Sequence, residues 1–475
     1  MVRAAYGPHW PAVQPGQVTS QIEDRREVVV AVKVPDTWRE LPARHQPPYP
    51  DLEHVRRVHD ELRQRPPLVF AGEVDSLRDD MAQAGRGESF VLIGGDCAET
   101  FAESTADQLR LKIQTLLQMA VVLTYGSSLP VVKIGRIAGQ YAKPRSSPVE
   151  VRGDVELPSY LGDAVNGIDF TEESRVPDPD RLLEMYHKSA ASLNLIRAFT
   201  KGGYADLRRV HEWNRGFIAN PAYARYEALA EEINQAVRFM EAAGADFLSL
   251  REVDLYSSHE ALLLDYEDAM TRVDSRSGNL YDTSGHFLWI GERTRGPNTS
   301  IEDVKGLIDR LNPDGEEGRL SFMARMGATK IKDALPPLVE AVVADGRPVT
   351  WLTDPMHGNT ISTSNGYKTR DFDTIMQEVA SFFQVHRELG TVPGGIHIEM
   401  TGSDVTEVIG GAEGLDDEAL LRRYETLVDP RLNHQQSLEI AFQVAELVRH
   451  LPTAGAQVAN TADHISPHDA DLDLA

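Results

Sequence analysis

The chain has 475 residues, of which 41% are hydrophobic and 25% charged, a composition typical of a globular protein with a large core. The formal net charge of −25 argues against nucleic acid or an anionic membrane as a general partner. The single cysteine, Cys97, excludes disulfides within the chain and suits a reducing compartment. We find neither a signal peptide nor an apolar run of membrane-spanning length, and we therefore expect a cytoplasmic protein.

The two ends of the chain differ in composition from the middle. Residues 1–65 are predicted to form an N-terminal extension that is rich in proline and polar residues and contains a helix over Leu52 to Gln64. Residues 451–475 are acidic and poor in large apolar groups, which predicts a disordered tail. Residues 66–450 are predicted to form the main domain.

Within this domain, apolar runs typical of buried strands alternate with helical periodicity. The strand candidates are SFVLIGG (89–95), PVVKIGR (130–136), FLSLREVDLY (247–256), HFLWIGER (286–293), RLSFMARM (319–326), PVTWLTD (348–354) and GGIHIEM (394–400). The clearest helix candidates are 107–123, 225–244 and 374–389. Residues 163–226 indicate a mostly helical insertion, in which RRVHEWN (208–214) is a candidate for one further strand.

The alternation of strands and helices predicts an α/β fold with a parallel sheet. Polar residues gather where the predicted strands end, as they do around the active site of a (β/α)8 barrel of the TIM type. A doubly wound sheet remains an alternative, although it would concentrate such residues at one switch point. Our count gives seven strands where a closed barrel needs eight, and the shortfall lies between Arg293 and Arg319.

One group of strand-end residues has the chemistry of a metal site. Cys97, His357, Glu399 and Asp429 offer a thiolate, an imidazole and two carboxylates, a mixed set that suits divalent Mn, Fe, Co or Zn. They lie on separate segments, so no local motif unites them. The alternative is a histidine buried in the core beside ordinary strand-end acids.

A second group is basic. It comprises Arg136, Lys143, Arg145, Arg293 and Arg325, each of which ends or follows a strand. Arginine forks bind carboxylates and phosphates through two parallel hydrogen bonds. Cations that converge on one face of so acidic a chain predict an anionic substrate; the alternative is a set of separate, solvated charges. IGGDCAET is neither a dinucleotide fingerprint nor a Walker loop, and no nucleophile elbow is present.

Several long motifs together resemble the class II, or plant-type, 3-deoxy-D-arabino-heptulosonate 7-phosphate (DAHP) synthases. They include GGDCAETF, PVVKIGRIAGQYAKPRS, HFLWIGERTR, DPMHGNT, GGIHIEMTG and YETLVDPRLNHQQSLE. The resemblance extends from about residue 68 to residue 449. It implies a (β/α)8 barrel that condenses phosphoenolpyruvate with erythrose 4-phosphate at the start of the shikimate pathway.

The resemblance also implies roles for individual residues. The family's metal ligands match Cys97, His357, Glu399 and Asp429, with Mn or Co as the expected metal and Zn or Fe as alternatives. Its phosphoenolpyruvate contacts match Arg136, Glu292, Arg293 and Arg325. The catalytic loop that meets both substrates matches Lys143 to Ser146, with Lys143 and Arg145 as its catalytic residues. Family members form homo-oligomers, and some associate with chorismate mutase.

The sequence departs from the family pattern at one place. After GERTR, a loop and one barrel strand of roughly twenty residues are missing, and with them a lysine that contacts phosphoenolpyruvate in the family. This agrees with the count of seven strands. Three interpretations follow: an ordinary synthase, a divergent relative that uses another aldehyde in secondary metabolism, or a non-catalytic binding or regulatory homologue. The retained metal and substrate residues favour the first two.

Overall fold

The fold is built on a parallel sheet whose strands are joined through helices. A computed structural model describes residues 47–68, 71–96, 98–142, 147–202, 204, 207–233, 273–274, 279–280, 287–290 and 299–449. The helices are α1 (Leu52–Leu62), α2 (Ala71–Gly85), α3 (Ala106–Ser127), α4 (Asp180–Lys201), α5 (Leu207–Ile218), α6 (Ile301–Leu311), α7 (Ile331–Asp345), α8 (Phe372–Leu389) and α9 (His434–Arg449). Short 3-10 helices cover Pro221–Tyr226, His357–Asn359 and Ala419–Leu421.

The strands fall into one large sheet and three small hairpins. They are β1 (Phe90–Gly95), β2 (Val131–Arg136), β3 (Val149–Arg152), β4 (Val155–Pro158), β5 (Val273–Asp274), β6 (Asn279–Leu280), β7 (Phe287–Ile290), β8 (Ser321–Ala324), β9 (Thr350–Thr353), β10 (Thr360–Ser362), β11 (Lys368–Arg370) and β12 (Pro393–Glu399). The large sheet has six strands in the order β2-β1-β12-β9-β8-β7, and every pairing within it is parallel.

The order of the strands identifies the architecture. The first strand of the sheet, β1, pairs with the last, β12, as happens when a (β/α) sheet curls into a barrel. Every residue of β1, β9 and β12 is buried, as expected for strands that are covered on both faces. Among the described residues the sheet remains open between β2 and β7, and the candidate strand at 247–256 lies outside them. The TIM-type α/β prediction is thus confirmed.

The described part of the connection between β7 and β8, residues 299–320, contains no strand. Strand β7 pairs directly with β8, with Phe287 opposite Ser321, and the described residues between these strands form a single helix, α6. The insertion at 163–226 is largely helical, as predicted. The further strand proposed at 208–214 is wrong, because these residues lie within helix α5. The N-terminal arm up to residue 46 and the acidic tail lie outside the described residues.

Local signals explain where the helices begin and end. The Asp51 carboxylate accepts hydrogen bonds from the backbone N–H groups of Glu53 and His54 and so starts α1. Ser300 and Asp303 form a reciprocal capping box at the start of α6. Helix α8 ends at Gly390, whose φ of 64° suits glycine. None of the helices within the described ranges is both long and apolar enough to cross a bilayer.

Candidate active site at the carboxyl edge of the sheet

Polar side chains meet where the parallel strands end. In the sheet register, Gly95 of β1 lies opposite both Arg136 of β2 and Glu399 of β12. Ala324 of β8 lies opposite Thr353 of β9, so Arg325 and Asp354 leave the sheet at the same edge. Arg136, Arg325, Asp354 and Glu399 are all buried. This edge is therefore a buried, charged site rather than a solvated rim.

Three of the four predicted metal ligands come together here. His357 follows β9 in a 3-10 turn, Glu399 ends β12, and Asp429 lies in the loop before α9. One donor atom from each of the three residues lies within 4.8 Å of the other two. The Nε2 atom of His357 is 2.9 Å from a carboxylate oxygen of Glu399. The fourth predicted ligand, Cys97, lies outside the described residues, between Asp96 and Ala98.

The buried carboxylate of Asp354 orients His357. One of its oxygens lies 2.7 Å from Nδ1 of His357, and the other accepts the backbone N–H groups of Met356 and His357. Burial alone would raise the pKa of Asp354, but the imidazoles of His357 and His397 outweigh this and hold that pKa well below its ordinary value. An ionised Asp354 accepts a hydrogen bond from Nδ1 of His357 and leaves the lone pair of Nε2, the ring nitrogen beside Glu399, available to a metal ion. This is the usual arrangement behind a metal-binding histidine.

Glu399 is held by Arg370, the last residue of the KTR segment (368–370), which the sequence indicates as a loop of the site, with a solvated loop as the alternative. Both side chains are fully buried, and Nη1 of Arg370 lies 2.6 Å from Glu399. The same guanidinium donates to the carbonyl oxygen of Pro430 and, through Nε, to Thr360 at 3.2 Å. The positive charge offsets the desolvation of the Glu399 carboxylate. On the exposed side of the site, Lys368 lies 3.7 Å from Asp429.

Arg136 belongs to the same polar network. Its Nη1 donates to Nε2 of His397 at 2.7 Å, and its Nη2 donates to Gln140 at 3.0 Å. Burial lowers the pKa of His397; its Nε2 accepts from Arg136, while its Nδ1 faces Asp354 at 3.6 Å. Sequence analysis missed His397 and Asp354; the alternation of polar and apolar residues in IHIE was the available signal for the histidine.

Arg325 differs from these residues because no described carboxylate pairs with it. Its residue exposure is only 8%, and the hydrogen bonds and ion pairs among the described residues do not include it. The backbone just after it is fixed by Glu378, which accepts the N–H groups of Met326 at 2.8 Å and Gly327 at 3.0 Å. A buried guanidinium in such a position suits an anionic ligand. The remaining predicted site residues, Lys143, Arg145, Glu292 and Arg293, lie outside the described residues.

Comparisons with known proteins agree with the geometry. The sequence model described as the Class-II DAHP synthetase family matches residues 33–298 and 296–445. The two matched stretches meet at 296–298, directly after the GERTR motif, where the sequence analysis expects a loop and a strand of the family to be missing.

Two curated relatives match over most of the chain. A phospho-2-dehydro-3-deoxyheptonate aldolase of Streptomyces coelicolor is 57% identical over 436 residues, which cover 87% of this chain and 97% of the relative. The phospho-2-dehydro-3-deoxyheptonate aldolase AroG of Mycolicibacterium smegmatis is 49% identical over 435 residues, which cover 86% of this chain and 93% of the relative. The stretches matched by the family model include the whole described sheet and its strand-end residues.

Proposed function

Because the chain belongs to the class II DAHP synthase family, we propose that it condenses phosphoenolpyruvate with erythrose 4-phosphate and water to give DAHP and phosphate. This is the first step of the shikimate pathway to chorismate and the aromatic amino acids. The observation that carries the proposal is the convergence of His357, Glu399 and Asp429 within 4.8 Å on the edge of the sheet that also holds Arg136 and Arg325. The two relatives named as this aldolase favour a synthase over a non-catalytic homologue.

The donor set fits a divalent metal. We propose His357, Glu399 and Asp429 as ligands, with Cys97 as the fourth because it directly follows Asp96 at the end of β1. Imidazole nitrogen, carboxylate oxygen and thiolate sulfur suit Mn or Co, with Zn or Fe as alternatives. When bound, the metal would supply a Lewis acid for the aldehyde oxygen. Asp354 would hold His357 in the tautomer that presents Nε2.

The cationic residues are proposed to bind and orient the substrates. Arg136 and Arg325, together with Glu292 and Arg293, would hold the phosphate and carboxylate of phosphoenolpyruvate. Arg325 supports this assignment, because no described carboxylate pairs with its guanidinium. The loop residues Lys143 and Arg145 would contact phosphoenolpyruvate and the aldehyde. Positive groups fixed before the substrates arrive offset the repulsion between two anions and bring them into register.

The reaction then follows from the chemistry of the substrates. C3 of phosphoenolpyruvate attacks the aldehyde carbon of erythrose 4-phosphate, and a C–C bond forms. Water adds at C2, and inorganic phosphate leaves as the C–O bond breaks, which generates the 2-keto group of the product. The protein's own contribution is to orient both anions and to exclude bulk water from the buried edge of the sheet.

The missing strand is the feature most relevant to catalysis. In the family it carries a lysine that contacts phosphoenolpyruvate, and the sequence here has no counterpart for it. Loss of one charged contact of this kind weakens binding by roughly 1–3 kcal/mol. We therefore expect weaker binding of phosphoenolpyruvate, with the reaction itself retained because the proposed ligands and arginines remain.

Three further properties are proposed with the function. We propose a cytoplasmic location, because a chain with a single cysteine forms no disulfide within itself, which suits a reducing compartment. A homo-oligomer is expected from the family resemblance, as is an association with chorismate mutase. Co-purification of the chain with a chorismate mutase, followed by size measurement in solution, would test both assemblies.

The decisive experiment is to measure the consumption of phosphoenolpyruvate with erythrose 4-phosphate, with Mn²⁺ or Co²⁺ present and after chelation. Metal-dependent consumption with release of phosphate would support the proposal. A folded, metal-binding protein that consumes no phosphoenolpyruvate with this aldehyde would contradict it. Assays with other phosphorylated aldoses would then separate a divergent synthase from a binding protein.

A further inference from the structure

Arg431 is a buried arginine two residues beyond the proposed ligand Asp429. Its side chain is only 5% exposed. One of its terminal nitrogens, Nη1, donates to Asp96 and to Glu103, in each case at 2.9 Å. Its Nη2 and Nε donate to the two carboxylate oxygens of Glu407 at 2.9 and 3.1 Å, and its backbone N–H donates to Glu407 at 2.8 Å. The guanidinium thus contacts three carboxylates at once.

These partners lie on the segments that carry the proposed ligands. Asp96 directly follows β1 and precedes Cys97, whereas Glu407 lies in the loop that follows β12 and its terminal residue Glu399. Asp96 is also paired with Lys112 of helix α3. Arg431 therefore connects the segment of Asp429 to the segment of Cys97, and Lys112 anchors that connection to the core.

The charges in this network are maintained despite burial. Burial by itself would raise the pKa of Asp96, but the ammonium of Lys112 and the guanidinium of Arg431 lower it below its ordinary value. Burial would also lower the pKa of Arg431, but Asp96 and Glu407 raise it well above its usual range. Buried ion pairs contribute little net stability compared with apolar packing. Apolar residues in their place could not reproduce the fixed geometry of these ion pairs.

From this arrangement we propose that Arg431 is a positioning residue for the metal site, which sets the separation between the segments that carry Cys97 and Asp429. The inference rests on the metal set of the proposed function. Residues behind a ligand shell that orient the ligands typically change metal affinity by about 10–100-fold when they are altered. We expect an effect of that size for Arg431, although it contacts no metal itself.

The test uses Co²⁺, because a cobalt–thiolate bond gives a charge-transfer absorption that reports on Cys97 directly. Metal-free full-length protein is titrated with Co²⁺, and affinity and absorption per bound ion are measured for the wild type, Arg431→Lys, Arg431→Met and Asp96→Asn. Circular dichroism establishes that each variant is folded. Arg431→Lys keeps the charge but cannot bridge three carboxylates, so it remains informative if Arg431→Met does not fold.

The matched control is Arg175→Met. Arg175 is also a buried arginine, and it pairs with Glu150 at 3.1 Å and donates to the carbonyl oxygens of Pro158, Ile168 and Asp169, none of which carries a proposed ligand. Its loss should lower stability without changing the Co²⁺ absorption.

We expect Arg431→Lys and Asp96→Asn to bind Co²⁺ at least tenfold more weakly than the wild type and to show a reduced thiolate absorption per bound ion. Unchanged affinity and absorption in folded variants, with a normal thiolate band in the wild type, would overturn the role of Arg431 but not the proposed ligand set. A wild type without any thiolate band would instead overturn the proposed ligand set, and the inference with it.

Discussion

At the scale of single residues, two buried arginines near the site should respond in opposite ways to the same substitution. Arg370 is fully buried against Glu399, so Arg370→Met would leave a buried carboxylate without its partner. Arg325 has no carboxylate partner among the described residues, so Arg325→Met would remove a desolvated cation. The stability of the fold should therefore depend on Arg370, and substrate binding on Arg325.

We expect Arg370→Met to lower the free energy of unfolding by about 3–5 kcal/mol, the usual effect of breaking a buried pair. Arg325→Met should leave that free energy unchanged or slightly higher, yet raise KM for phosphoenolpyruvate by at least about tenfold, as expected for a lost charge-assisted contact. Chemical denaturation and steady-state kinetics measure the two effects. A greater loss of stability in Arg325→Met than in Arg370→Met would contradict this assignment.

His386 in helix α8 provides a prediction about pH. Its ring is buried beside Trp351 and Phe382, and its Nδ1 lies 2.7 Å from the hydroxyl of Thr391. Burial lowers the pKa of His386 to about 3. The unfolded chain takes up a proton on this residue near pH 6.5, while the folded protein does not, so stability should fall as the pH decreases from about 6.5 toward 3.

We expect His386→Gln to flatten that decline by at most about 1.4 kcal/mol per pH unit, the limit for a single proton. The measurement is the difference in the free energy of unfolding between wild type and variant at each pH. Wild-type values alone do not isolate His386, because burial raises the pKa of Glu378 to about 7. That carboxyl has the opposite effect, since its pKa is raised and stability falls as the pH rises from about 4.5 to 7. The exposed His187, changed to Gln, is the control, and an equal change in slope for both variants would refute the prediction.

At the scale of elements, the contact between helices α3 and α9 determines whether a glycine-to-alanine substitution raises or lowers the free energy of unfolding. A Cβ atom added at Gly126 of α3 would lie 2.4 Å from the Cβ atom of Ala445 in α9, and the carbonyl oxygen of Gly126 accepts a hydrogen bond from Arg449 at 3.0 Å. Glycine here permits close packing of two helices beside the paired strands β1 and β12. Gly306 in α6, in contrast, has no atoms within 4 Å of such an added Cβ.

Glycine to alanine within a helix normally stabilises by about 0.5–1 kcal/mol. We expect this gain for Gly306→Ala, whereas Gly126→Ala should lower the free energy of unfolding by about 1–3 kcal/mol, because the helices must move apart. Denaturation of the two single variants under the same conditions gives both values. A gain in stability from Gly126→Ala would show that α3 and α9 do not pack as closely as described.

At the scale of the whole molecule, the sequence predicted the sheet better than the site. The strands of the large sheet were found within a few residues of their ends, because a buried parallel strand is a continuous apolar run bounded by polar or turn residues. The count of such runs also predicted no strand between β7 and β8, and the described part of that connection, residues 299–320, contains only helix α6. Residues 208–214 were misjudged because RRVHEWN alternates over too short a window to separate a strand from the helix that contains it.

The supporting residues of the site could not be found in the same way. Arg431 lies 335 positions from Asp96, and the pairing of β12 with β1 brings these two partners together. Arg370 reaches Glu399 from the hairpin β10–β11, a contact that no periodic pattern in the sequence indicates. His397 falls inside an apolar strand, where a histidine is typical of the core. Residues at strand ends can be inferred from the pattern of strands, but a side chain that contacts them from a distant loop depends on the tertiary fold.

The proposed ligands His357, Glu399 and Asp429 come from three segments that only the folded chain brings together, so metal binding should stabilise the whole molecule. A ligand that binds only the native state at about 100 times its Kd adds about 2.7 kcal/mol to the free energy of unfolding. We expect Mn²⁺ to raise Tm, chelation to reverse the rise, and His357→Ala to abolish it. His187→Ala serves as the matched control because His187 is exposed and belongs to none of these segments. A Mn²⁺-dependent rise in Tm that persists in His357→Ala would mean that the metal stabilises the protein through another site.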